Sequence, residues 1–82
     1  MKFKYIIFET AGSGYIPIIF PGHLDHSDMA RKMGDYFKPI SAGFVAVNRN
    51  DLSIICSGRS MTLNLGPGED DEVFLKRLVS EY

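Results

Sequence analysis

The chain has 82 residues, with nine Lys and Arg against ten Asp and Glu, and a formal net charge of −1. A chain of this length supports one hydrophobic core, so we expect a single domain over residues 1–82. The basic residues are scattered. This argues against binding to duplex nucleic acid, which requires concentrated positive charge to displace counterions. No stretch approaches the roughly 18 apolar residues of a membrane span, so no membrane partner is expected.

Cysteine content and hydrophobicity add expectations about compartment and assembly. Cys56 is the single cysteine, so it forms no internal disulfide, and the sequence predicts neither a metal site nor a cofactor. The first residues have the pattern of a strand and lack a signal-peptide cleavage site, which favours the cytoplasm. The 45% hydrophobic content is high for so small a chain. Self-association would bury more of it, and we expect a homo-oligomer.

The N-terminal part of the chain predicts a β-hairpin. Residues 2–8 and 15–20 are rich in aromatic and β-branched residues, and the Gly-rich residues 11–14 between them supply a turn. The second strand is apolar on both faces, so it is either central in the sheet or part of a subunit interface. Pro17 removes a backbone donor and favours an edge position, hence the interface. Tyr15, Pro17 and Ile19 are the predicted interface residues.

A helix is predicted after this hairpin. Asp25 and Asp28 resemble a capping arrangement that opens it, and Pro39 is expected to stop it. Apolar residues recur between them at helical spacing: Met29, Ala30, Met33, Tyr36 and Phe37. Three short strands then follow at residues 40–47, 52–57 and 61–65. A final helix begins in the acidic residues 69–72 and carries a buried apolar stripe: Phe74, Leu75, Leu78, Val79 and Tyr82.

These elements predict an α+β single domain with ββαβββα order. Because hairpins join most strands, we expect a mostly antiparallel sheet of four to five strands, with both helices on one face.

Three polar clusters are candidate ligand-binding sites. His23, His26 and Ser27 lie at the predicted helix start, where backbone amides attract anions. The spacing of the histidines fits no standard metal motif. The structural alternative is that the neighbouring aspartates cap the helix while His26 packs on its apolar face. Ser41 and Gly43 form a small-residue strand start, which fits a ligand or a closely packed helix.

Arg59 and Ser60 form the third cluster, beside the turn at Gly58. An arginine next to a hydroxyl suits the recognition of a planar anion, although a solvated turn explains the same pattern. Catalysis is not predicted. Cys56 follows an apolar run, where a thiol usually behaves as a small buried hydrophobe, and no Gly-x-Ser-x-Gly elbow occurs.

Short patterns at residues 18–23, 29–30, 39–44 and 58–63 resemble those of small uncharacterised proteins encoded by bacteriophages and prophages. The resemblance implies a phage accessory protein in the cytoplasm of the host cell. That class includes inhibitors of host immune enzymes and small oligomeric proteins that sequester nucleotide signals. No functional residue follows from the resemblance.

Three functions stay open at this point. The first is a non-enzymatic homo-oligomer that sequesters a small anionic or nucleotide-like ligand to counter host defence. The second is an inhibitor that binds a host protein through an apolar surface or a sheet edge. The third is a small component of the virion or of its assembly. The first function requires the three polar clusters to meet in space, and the other two do not.

Overall fold

The computed structural model describes residues 2–12, 14–34, 36–48, 50–51 and 53–80. Within these residues the order is ββαββα: β1 (Lys2–Thr10), β2 (Tyr15–Pro21), α1 (His26–Met33), β3 (Phe37–Val47), β4 (Ile54–Ser57) and α2 (Asp71–Ser80). The strands form one sheet in the order β2-β1-β3-β4, and each neighbouring pair is antiparallel. The predicted α+β class and antiparallel sheet are confirmed. Neither described helix is long and apolar enough to cross a membrane.

The predicted fifth strand at residues 61–65 is wrong. Residues 61–64 form turns, and one isolated bridge joins Ser60 to Leu65. The Ser60 amide donates to the Leu65 carbonyl at 2.8 Å, and the reverse bond is 3.2 Å. Asn64 has a φ of 55°, in the left-handed region that interrupts an extended strand. The alternating polar residues therefore belong to a loop that closes on itself, which we call the 58–66 loop.

Helix α1 is shorter than predicted. It ends at Met33 because Gly34 adopts a φ of 81°, and the Gly34 amide donates to the Arg31 carbonyl at 3.2 Å. Phe37 begins β3 instead of ending the helix, and its ring packs edge-to-face on Phe8 with centroids 6.4 Å apart. The apolar spacing that predicted one helix up to Phe37 thus covers a shorter helix and the start of a strand.

The two helices pack on opposite faces of the sheet, so the prediction that both share one face is wrong. Neighbouring residues of a strand point to opposite faces. Tyr5 and Ile7 of β1 pack in one apolar cluster with Leu75 of α2. Ile6 and Phe8 lie in a second cluster, against which the apolar side chains of α1 pack. All four β1 side chains are 0% exposed, and a central strand that is apolar on both faces needs cover on both.

Strand β2 lies at one edge of the sheet, as Pro17 predicted. Pro17 and Pro21 stand opposite Ile7 and Phe3 of β1. A hydrogen-bonded antiparallel pair exchanges two N–H···O bonds, and proline has no N–H to give. Both prolines therefore occupy non-hydrogen-bonded pairs, whose backbone nitrogens point away from β1. The outer edge of β2 thus lacks donors at two positions.

The opposite edge of the sheet, β4, is partly covered by a side chain. The Cys56 amide donates to a Glu72 carboxylate oxygen of α2 at 2.9 Å. A backbone amide at a sheet edge that already donates a hydrogen bond is not available to pair with another strand. Each edge therefore carries a feature that opposes strand addition.

Candidate functional site

His26 is a packed residue on the α1 face of the sheet. It is 3% exposed, and its Nε2 lies 2.9 Å from the Gly43 carbonyl oxygen. Because a carbonyl only accepts, Nε2 carries the proton and donates. The rings of Phe20 and Phe44 meet the imidazole edge-to-face, with centroids 5.5 and 5.9 Å away. Two of the predicted ligand residues, His26 and Gly43, are thus joined to each other, whereas His23 is exposed.

Asp25 links the start of α1 to the 58–66 loop. It occupies the N-cap position, but its side chain makes no capping bond. Ser27 Oγ donates to one carboxylate oxygen at 2.8 Å, and Thr62 Oγ1 donates to the other at 3.0 Å. The hydrogen bond from Ser27, followed by that from Thr62, lowers the pKa of Asp25. A carboxylate here repels an anion, so the predicted anion site at the helix start has no support in this geometry.

The Arg59-Ser60 cluster is engaged within its own loop. Arg59 is exposed, and its guanidinium donates to the Asn64 side-chain oxygen at 2.8 Å. Ser60 is buried, and its hydroxyl oxygen accepts the Leu63 amide at 3.2 Å. These contacts hold Arg59 and Ser60 to other residues of the 58–66 loop.

Ser41 lies on the other face of the sheet, in a buried network centred on Asp71. Ser41 Oγ donates to one Asp71 oxygen at 2.8 Å. The other oxygen accepts the Tyr5 hydroxyl at 2.5 Å and the Gly68 amide at 2.8 Å. Burial raises the pKa of Tyr5, and the hydrogen bond and charge of Asp71 raise it further. The sheet therefore separates Ser41 from the histidine cluster, and the predicted ligand residues do not line one cavity.

Cys56 is next to this network and is not an activated thiol. Burial raises its pKa to about 11, and the negative charges of Glu72 and Asp71 act in the same direction. A nucleophilic cysteine needs the opposite shift. The interpretation of Cys56 as a structural residue fits these surroundings.

An apolar groove runs between the edge strand β2 and helix α2. It consists of two adjoining cavities, of about 340 and 500 Å³, that share Pro17 and Leu78 in their walls. We call it the β2–α2 groove and define it by its lining residues: Tyr15, Pro17, Ile18, Ile19, Phe74, Arg77, Leu78 and Val79. All three residues predicted from the sequence as interface residues line it. They share a face because they alternate along one strand.

Aromatic and charged residues mark one end of the groove. Tyr15 is 49% exposed, and its ring packs on Phe74 with centroids 5.3 Å apart. Beyond this pair the groove continues into a smaller cavity of about 210 Å³, whose walls include Ile40, Glu69 and Asp70. The groove is therefore apolar along its length and acidic at the Tyr15 end, with Arg77 as a cation on its helical wall.

The contribution of α2 to the groove was not predicted. Its apolar stripe was expected to be buried, yet within the described residues of that stripe only Leu75 is fully covered. Phe74, Leu78 and Val79 stay partly exposed, and all three line the groove beside β2. Tyr82 lies outside the described residues, but Phe74, Leu75, Leu78 and Val79 already make a stripe wider than one line of contact with a sheet requires, and this width was the available signal.

Among the described residues, the buried polar side chains already bond to other protein groups. Every buried side-chain nitrogen or oxygen among them has a hydrogen-bond partner. In the same part of the chain, no three His, Cys, Asp or Glu side chains are grouped to hold a metal ion. Comparisons of the chain with protein-family models, curated proteins and solved structures found no match.

Proposed function

We propose that this protein is a non-enzymatic binding protein whose β2–α2 groove receives the apolar surface of another protein chain. The observation that carries the proposal is the groove itself. It joins two cavities along the side of an edge strand and exposes Tyr15, Pro17 and Leu78 together. A contiguous apolar concavity with an aromatic anchor is typical of protein-binding surfaces.

The prolines at the β2 edge favour a partner that binds through side chains over one that adds a strand to the sheet. Addition of a partner strand to β2 requires outward donors, and two of those positions are prolines. Of the two modes expected from the sequence, apolar surface or sheet edge, the first is therefore favoured.

The arrangement of polar residues favours a protein partner over a sequestered anion. Ser27, Ser41 and Ser60 donate to or accept from protein groups, and the sheet divides them. In and beside the groove, Arg77 is accompanied by the acidic Glu69 and Asp70, which repel an anion. A phosphate-bearing ligand would thus meet opposite charges at the two ends of this region, whereas a phosphate site is typically a cluster of cations.

The resemblance to phage and prophage proteins agrees with this proposal, because inhibitors that act by binding a protein belong to that class. Phage origin, a role against host defence and a cytoplasmic location remain predictions from the sequence.

Site-specific photo-crosslinking in cells tests the proposal. A photoreactive phenylalanine derivative replaces Tyr15 in one variant and Tyr36 in the control. Tyr36 is 83% exposed and does not line the groove, so it reports random collisions. We expect a discrete protein adduct from position 15, absent from position 36 and lost when Leu78→Asp is added.

Two results oppose the proposal. The first is the same diffuse adducts from both positions, or none from either. The second is a nucleotide that raises the melting temperature of the wild-type protein and also of the Leu78→Asp variant. That outcome would favour ligand sequestration at a site outside the groove.

A further inference from the structure

The groove side of α2 carries opposite charges at its two ends. Glu69 and Asp70 lie at the Tyr15 end, where they line the smaller cavity beside Phe74. Arg77 lines the groove two turns further along the helix. At about 1.5 Å per residue, the seven positions from Asp70 to Arg77 correspond to roughly 10 Å along the axis. The segment from Glu69 to Arg77 thus presents an acidic end just before α2, an aromatic centre and a basic end to any occupant.

This charge pattern is complementary to the same pattern on a second chain that runs in the opposite direction. Two copies of α2 related by a two-fold axis near Phe74 run antiparallel, so that Arg77 of each faces the acidic end of the other. The same axis brings both Tyr15–Phe74 aromatic pairs to the centre, where large aromatic residues contribute most to binding. An axis near Arg77 would instead oppose like charges. The charges therefore select one register.

We propose that the occupant of the β2–α2 groove is a second copy of this chain, bound as a two-fold dimer through antiparallel packing of α2 on α2. The proposal rests on the proposed function, because it names the partner of the same surface. Such an interface is isologous, with the same patch used by both subunits. It also adds apolar burial to a chain too small to build a large core alone.

The size of the surface permits such a dimer. The exposed surface of the chain is 5528 Å². A specific interface covers about 800 Å² per partner, roughly one seventh of that surface. The groove and the smaller cavity share Tyr15 and Phe74 in their walls, so the surface that such a dimer would use is contiguous. Because the prolines of β2 oppose edge pairing, the dimer packs side chains and does not extend the sheet.

Charge reversal with rescue tests the dimer. Sedimentation equilibrium of the full chain measures its dissociation constant. We expect Arg77→Glu to raise that constant about tenfold or more, because it faces the acidic end of the partner. Adding Glu69→Lys in the same chain is expected to recover most of the affinity. Lys76→Glu is the matched control: it makes the same charge change on the same helix but lines a separate pocket beside β4.

Circular dichroism establishes that each variant is folded, and the outcomes separate this proposal from the broader one. A monomer at every concentration, or a dimer that Arg77→Glu leaves unchanged, overturns the dimer proposal. A monomer whose Tyr15 position crosslinks to a different protein leaves the proposed function standing. A monomer with no crosslink from Tyr15 removes both. A dimer whose Tyr15 position crosslinks to itself, with rescue by Glu69→Lys, supports both.

Discussion

The Tyr5 hydroxyl donates a 2.5 Å hydrogen bond to the Asp71 carboxylate, which joins the central strand to the first residue of α2. Ser41 and Gly68 donate to the same carboxylate, so three segments of the chain meet at one buried side chain. Because Asp71 is the first residue of α2, this contact anchors the start of that helix on the sheet.

We expect Asp71→Ala to destabilise the fold more than Tyr5→Phe. Removal of the carboxylate leaves two buried hydroxyls and an amide without their acceptor, which costs about 2–4 kcal/mol, whereas loss of the tyrosine hydroxyl costs about 1–2 kcal/mol. Urea unfolding measures both. Lys32→Ala, at an exposed position of α1, is the control, since a surface change of this kind stays within about 0.5 kcal/mol. Equal stability of the Asp71 variant and the control would contradict this role of the network.

Gly43 is predicted to tolerate no side chain. A Cβ at this position would lie 2.8 Å from the Ser57 carbonyl oxygen and 3.3 Å from the Tyr5 ring. Relief of that overlap requires backbone movement, so Gly43→Ala should lower the free energy of unfolding by about 1–3 kcal/mol. Gly12→Ala is the matched control, because nothing lies within 4 Å of its Cβ. The expectation fails if the two variants have the same melting temperature.

Cys56 is predicted to react slowly with alkylating agents while the protein is folded. Burial raises its pKa to about 11. At pH 8 an unperturbed thiol, with a pKa near 8.5, is about one quarter thiolate, and the shifted thiol is about a thousandth. Iodoacetamide labelling followed by mass spectrometry should therefore be about two orders of magnitude slower in buffer than in urea. A folded rate close to the unfolded one would show that Cys56 is accessible and ionised.

The lowered pKa of Asp25 predicts a contribution to stability that depends on pH. Because Ser27 and Thr62 hydrogen bonds favour the ionised form in the folded state, the contribution is present above the ordinary aspartate pKa, near 4. It is lost as the pH falls through the lowered value. Asp25→Asn should therefore flatten the loss of stability below about pH 4. Thermal unfolding across this range measures it, and identical acid limbs in both proteins would exclude the effect.

Pro17 is predicted to protect the β2 edge from strand addition. Pro17→Thr restores an outward donor and adds a β-branched residue, so we expect faster thioflavin-positive aggregation at elevated temperature. Pro67→Thr, in an exposed loop, serves as the control. If both variants aggregate at the wild-type rate, the prolines do not guard this edge.

Local patterns in the sequence predicted several features because each depends on neighbouring residues. The N-terminal hairpin follows from two β-rich runs around a Gly-rich turn, and the edge position of β2 follows from Pro17. The start of α2 within an acidic segment follows from the helix dipole. The two wrong predictions, of a fifth strand and of a longer α1, also came from local patterns. Met61 to Leu65 alternate like a strand, and Phe37 continues a helical spacing, but left-handed φ values at Asn64 and Gly34 redirect the chain.

The sequence by itself determined a single α+β domain, its antiparallel sheet and the shared face of Tyr15, Pro17 and Ile19, because periodicity and proline chemistry act over a few residues. Only the tertiary structure decided which face each helix covers, since β1 is apolar on both sides and accepts either. It alone joined Ser41 to Asp71 and Asp25 to Thr62, and it placed α2 in contact with both outer strands, β2 and β4. Ser41 and Asp71 are 30 residues apart, and Asp25 and Thr62 are 37 residues apart, so no local pattern encodes these contacts.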